Sequence, residues 1–80
     1  MARPRILLAD DHPDLLKALR DVMGELGEVV GTVGDGEALV QAGQQLKPDI
    51  IFTDISMPKM NGLEATRALQ AQVPESRVII

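Results

Sequence analysis

Short apolar runs and helix-periodic segments take turns along the whole chain. Arg5-Ile-Leu-Leu-Ala9 is a compact apolar run. After it, Leu15, Leu19, Val22 and Leu26 recur at helical spacing, with Leu16 and Met23 widening the stripe. Pro13 suits a first helical position, where its missing N–H is no loss, and Gly27 suits the stop. Glu28 to Val33 reads as a second strand, interrupted by Gly31. Asp35 is a fitting N-cap for a second helix with Leu39, Ala42 and Leu46 on its inner face. Pro48 stops that helix, and Asp49 begins the turn into a third strand, Ile50 to Thr53. Asn61-Gly-Leu-Glu64 has the N-cap and N3 residues of a capping box, with Asn in place of Ser or Thr. The helix it opens carries Leu63, Thr66, Leu69 and Val73 on one side and ends before Pro74. Arg77-Val-Ile-Ile80 reads as a fourth strand.

The pattern is βαβαβαβ. It implies an α/β fold, a doubly wound parallel sheet with right-handed crossovers. The first and third strands are continuously apolar, as strands buried on both faces must be. If the strand order is 2-1-3-4, the reversal lies between strands one and three, and ligands bind beyond the carboxyl ends of the strands at such a point. Eighty residues allow one small domain, which buries only roughly 60% of the surface its unfolded chain exposes. No Cys is present to add a disulfide or a thiolate metal site, which fits a reducing cytosol.

The strand ends carry acids. Strand one runs into Asp10-Asp11 and strand three into Asp54. If the two strands are neighbours, three carboxylates meet, and they repel unless a cation compensates. Oxygen donors suit a hard ion such as Mg²⁺. A carboxylate beside Mg²⁺ can accept a phosphoryl group. A plainer reading is also open: Asp10 and Asp11 can favour the positive end of the following helix, and Asp54 can be a turn residue ahead of Pro58. His12, just before Pro13, reads as a cap or surface residue, and Lys59 as a solvated loop residue. Met57 and Met60 read as packing against the sheet. Ser56 has no base beside it in the sequence to make it a nucleophile.

Leu7-Leu-Ala-Asp-Asp-His-Pro13 and Asp54-Ile-Ser-Met-Pro-Lys-Met-Asn-Gly62 resemble the receiver domain of two-component response regulators, in order and at family spacing along the entire chain. The wording is most similar to receivers of the NarL/FixJ type, which usually precede a DNA-binding helix-turn-helix domain. The resemblance implies a flavodoxin-like (CheY-like) sheet and makes residues 1–80 the N-terminal portion of a receiver domain. It implies that Asp54 is the phosphoacceptor, modified by a sensor histidine kinase in the cytoplasm. Asp11 would bind Mg²⁺ directly, Asp10 mostly through a water, and Ser56 through its backbone carbonyl. The Ser56 side chain would tune the lifetime of the phosphoryl group. Pro58 and Gly62 would shape the loop, Gly62 by close approach or an unusual backbone angle. Such a module is a phosphoacceptor rather than an enzyme.

The family pattern continues beyond what this sequence holds. Its fifth strand, its last two helices, the Ser or Thr ending strand four and the Lys ending strand five have no counterpart here. That opens an alternative, a non-signalling fragment acting in assembly, with the apolar edge Val78-Ile-Ile80 driving self-association. A hydrolase of the haloacid-dehalogenase type also uses an Asp after a strand, but it needs a second Asp where this chain has Ser56. A net charge of −4 with eight scattered basic residues argues against direct binding of nucleic acid by this segment. No apolar run is long enough to cross a membrane, and Ile6 to Ala9 is too short for a signal-peptide core.

Overall fold

A computed structural model describes residues 3–80. The element order is β1 (Arg5–Ala9), α1 (Pro13–Met23), β2 (Glu28–Val33), α2 (Gly36–Leu46), β3 (Ile50–Thr53), α3 (Gly62–Gln72) and β4 (Arg77–Ile79). The four strands form one parallel sheet in the order β2-β1-β3-β4; the alternation predicts the parallel sheet, and the order is that of the flavodoxin-like sheet the resemblance implies.

The ladder between β1 and β3 is regular, from Ile6 opposite Ile50 to Ala9 opposite Thr53. Between β1 and β2 it shifts. Ile6 faces Val29 while Leu7 faces Gly31, so β2 carries Val30 as an extra residue. At the opposite end of the sheet from the acids, Asp49 ties three segments together. Its N–H donates to the Arg5 carbonyl, its carboxylate accepts from the Arg5 N–H, and its carbonyl accepts from the Arg77 N–H.

The core lies on one face of the sheet. Leu7, Ala9 and Ile51 point at Leu39 from α2 and at Ala65 and Leu69 from α3, with Met57 and Val73 closing the cluster. Gly43 makes the close fit of α2 and α3 possible, because a side chain there would collide with Leu69. Ile6 and Leu8 are buried on the opposite face, where α1 lies against β1 and β2.

Three sequence expectations are corrected. α1 ends at Met23 with Gly24 as its C-cap, not at Gly27, because residues 24–26 turn toward β2. Leu26 is therefore outside the helix, and Leu15, Val22 and Leu26 are all exposed; α1 buries none of its residues. In α3 the inward face is Ala65 and Leu69, while Leu63 points to solvent. β4 begins at Arg77, as expected. The caps of α2 and α3 are as expected. Asp35 accepts from the Ala38 N–H at 2.8 Å, and Asn61 accepts from the Glu64 N–H at 2.9 Å.

Candidate functional site

β1 and β3 are neighbours, so the acids that follow them meet at the point where strand order reverses. The backbone ladder fixes both. The Asp10 N–H donates to the Val33 carbonyl at 3.0 Å, and the Asp54 N–H donates to the Ala9 carbonyl at 3.0 Å. Carboxylate oxygens of Asp10, Asp11 and Asp54 and a ring nitrogen of His12 lie within 4.8 Å of one another. Asp10 is buried, Asp54 half-buried and Asp11 exposed. Ser56 is exposed in the loop two residues beyond Asp54.

His12 is exposed, as the reading of a cap or surface residue has it, but it also joins this cluster, which the sequence did not foresee. It occupies the N-cap position of α1, yet its side chain makes no capping bond. The ring turns back instead. Nδ1 lies 2.7 Å from Asp10 Oδ1 and 2.9 Å from Asp11 Oδ1, and the His12 N–H donates to the same Asp10 oxygen at 2.9 Å. The hydrogen bond to Asp10, and then the negative charge of Asp11, hold His12 above the usual histidine value. The signal for this lay in the run Asp10-Asp11-His12, three polar residues at one strand-to-helix joint. Thr53 is a second residue the sequence did not flag. Its side chain is on the core side of the sheet, and its hydroxyl donates to the Asp54 carbonyl at 2.9 Å, which meets the need of a buried hydroxyl for a partner.

The loop after Asp54 is held close to the strand end. Any side chain at position 62 would collide with the Asp54 carbonyl. Gly62 is therefore required by close approach and not by an unusual angle, since no glycine among the described residues has a positive φ. Gly36 fits in the same way against the Met60 carbonyl, which seats the first turn of α2 on the loop. Lys59 takes a left-handed backbone, φ 70°, and its ammonium lies 3.8 Å from the Asp35 carboxylate. Met57 is buried in the core and Met60 packs against it, as expected.

An open groove of about 170 Å³ adjoins the acids and runs between Leu19, Phe52, Ile79 and Ile80. A larger one of about 250 Å³, over α1 and Thr32, contains no acid and lies away from this chemistry.

A parallel α/β sheet with carboxylates gathered at its switch point is the architecture of a signalling receiver, and comparison with known proteins agrees. The response regulator receiver domain family matches residues 6–80, and the chain belongs to that family. It is 35% identical over 78 residues to the transcriptional regulatory protein MctR of Rhizobium johnstonii, covering 95% of this chain and 36% of that one. The response regulator domain of Thermotoga maritima CheB superposes with a TM-score of 0.89 at 35% identity, over 94% of this chain and 57% of that one. The receiver domain of the putative response regulator NarL from Mycobacterium tuberculosis superposes at 0.83 with 27% identity, over 98% and 64%. This chain thus spans about a third of the curated transcriptional relative. As a member of this family it is a receiver module of two-component signalling.

Proposed function

We propose that Asp54 accepts a phosphoryl group from the phosphohistidine of a sensor histidine kinase, in the cytoplasm, within a regulator whose DNA contacts are made by another segment. The observation that supports this reading most is the gathering of Asp10, Asp11 and Asp54 at the ends of β1 and β3. The donor set fits Mg²⁺: hard oxygens, at least two of them carboxylates, with solvent on the Asp11 side for waters. Asp11 would hold the ion directly, Asp10 mostly through water, and the Ser56 carbonyl and Asp54 would complete the protein's share. When bound, Mg²⁺ supplies positive charge against the phosphoryl oxygens.

The Asp54 carboxylate acts as the nucleophile. Its oxygen forms the new bond to phosphorus as the phosphorus–nitrogen bond of the donor breaks, and the electron pair leaves with the imidazole. The close-packed Gly62 and the Thr53 hydroxyl hold the Asp54 backbone still, which favours a defined angle of approach.

The test is an NMR titration with Mg²⁺ and then beryllofluoride, a phosphoryl mimic, with Asp54→Asn as control. Expected are Mg²⁺-dependent shifts at Asp10, Asp11 and Asp54 and a beryllofluoride response lost in the variant. Absence of any Mg²⁺-dependent shift at these acids would overturn the reading.

A further inference from the structure

We propose that Lys59 is a positioning residue for the acceptor site: paired with Asp35, it fastens the loop after Asp54 to the start of α2 and so holds the Ser56 carbonyl in place for Mg²⁺. The inference rests on the reading of Asp54 as acceptor and of the Ser56 carbonyl as a metal donor. It goes beyond that reading in naming a residue outside the acidic cluster that governs how well the donor is presented.

The loop from Asp54 to Gly62 is held at two places. At its base the Gly62 N–H donates to the Ile55 carbonyl at 2.8 Å. At its tip the Met60 N–H donates to the Pro58 carbonyl at 2.8 Å, across Lys59 with its φ of 70°. A bond that spans two residues about such a positive φ makes a classic γ-turn, the rare and strained form. Glycine or asparagine would adopt this backbone at less cost than lysine. Contact with α2 compensates. The Met60 carbonyl fills the space that a side chain at Gly36 would need, and the Gly36 N–H makes a long bond of 3.5 Å to the Pro58 carbonyl. Ser56 lies between base and tip, exposed, beside the buried Met57.

Asp35 joins the tip to the helix. Its Oδ1 accepts from the Ala38 N–H at 2.8 Å, and its Oδ2 lies 3.8 Å from Lys59 Nζ. One half-buried carboxylate thus caps α2 and faces the ammonium. The Lys59 side chain is 61% exposed, so the attraction is modest. A modest attraction counts here because the backbone it acts on is strained and has easier conformations to go to.

The experiment measures Mg²⁺ affinity by NMR in the wild-type chain, in Lys59→Asn and in Lys59→Arg, following the Ser56 carbonyl ¹³C together with the Asp10, Asp11 and Asp54 signals. Asn tolerates the left-handed backbone and removes only the charge. Expected is a loss of Mg²⁺ affinity of about 2- to 5-fold in Lys59→Asn, with recovery in Lys59→Arg. In an Asp35→Asn background, where the helix cap is kept, Lys59→Asn should cost nothing further. The sign is decisive, since removal of a positive charge would by its field alone raise Mg²⁺ affinity. In the wild type Mg²⁺ should also move the Ser56 carbonyl, a readout that needs no variant to fold. An unchanged or raised Mg²⁺ affinity in Lys59→Asn, or shifts at the acids with the Ser56 carbonyl unmoved, would overturn the proposal while leaving the acceptor site intact. Failure of Mg²⁺ to shift the acids in the wild type would overturn the acceptor-site reading and this one together.

Discussion

On one face of the sheet α2 and α3 pack side by side and bury Leu39, Ala65 and Leu69 almost completely; on the other, α1 runs along β1 and β2 and buries none of its own residues. The strand residues beneath are equally well covered, since Ile6 and Leu8 are as hidden as Leu7. A single helix can thus roof a strand while its own apolar side chains stay half in water. The helix starts differ in the same sense. Asp35 and Asn61 cap α2 and α3 with their side chains, whereas His12 leaves α1 uncapped and turns to the acids. The helix-on-helix core lies on one face, and the other face holds the element that reaches the site.

The sharpest way to break this contrast is to empty the tight face. Leu69→Ala should cost about 3 kcal/mol, because Leu69 fills the space left by Gly43 and the helices cannot close over the cavity. Urea unfolding checks it. Next come the caps. Asp35→Ala should cost about 1 kcal/mol, while His12→Ala should change stability by less than about 0.5 kcal/mol in the same assay. Smaller still, Leu15→Ala and Val22→Ala should each lie within about 0.5 kcal/mol of the wild type, since both side chains are already exposed. A cost comparable to that of Leu69→Ala would show that α1 is packed in solution.

The last effect is electrostatic. His12 should titrate above the usual 6.5 in an NMR pH series and fall back toward it in Asp10→Asn. A raised folded value means that the ring's contribution to stability is fully present below the unfolded value. It is lost as pH rises through the folded one. The ring is exposed, so the change in unfolding midpoint should be slight.

Much of this fold was legible because its signals are local. Apolar runs, Pro48, and the caps at Asp35 and Asn61 each act within a few residues, and their elements begin where the sequence places them. Burial was less legible because periodicity shows which face of a helix is apolar but not what covers it. Leu15 and Val22 are therefore correctly helical, yet their apolar stripe stays exposed. In α3 the inward face turned because Ala65, small enough to lie flat on the sheet, faces the core in place of Leu63. At the site, Asp10, Asp11 and Asp54 were legible as acids that follow strands one and three, and their meeting followed once those strands were neighbours. The direction of the His12 ring was not, since a residue ahead of a helix has two sets of partners and only the fold decides between them.

The irregular pairing of β2 has a consequence for changes in chain length. Val30 is one residue more than the ladder needs, so deleting it would keep Val29 opposite Ile6 and Gly31 opposite Leu7, and leave every other pair in place. Deleting Leu8 instead would move Ala9 to the opposite face and take the carboxylate that follows it out of register. The sheet thus has one position where a codon can be lost without displacing Asp10, and it lies on the strand farthest from Asp54.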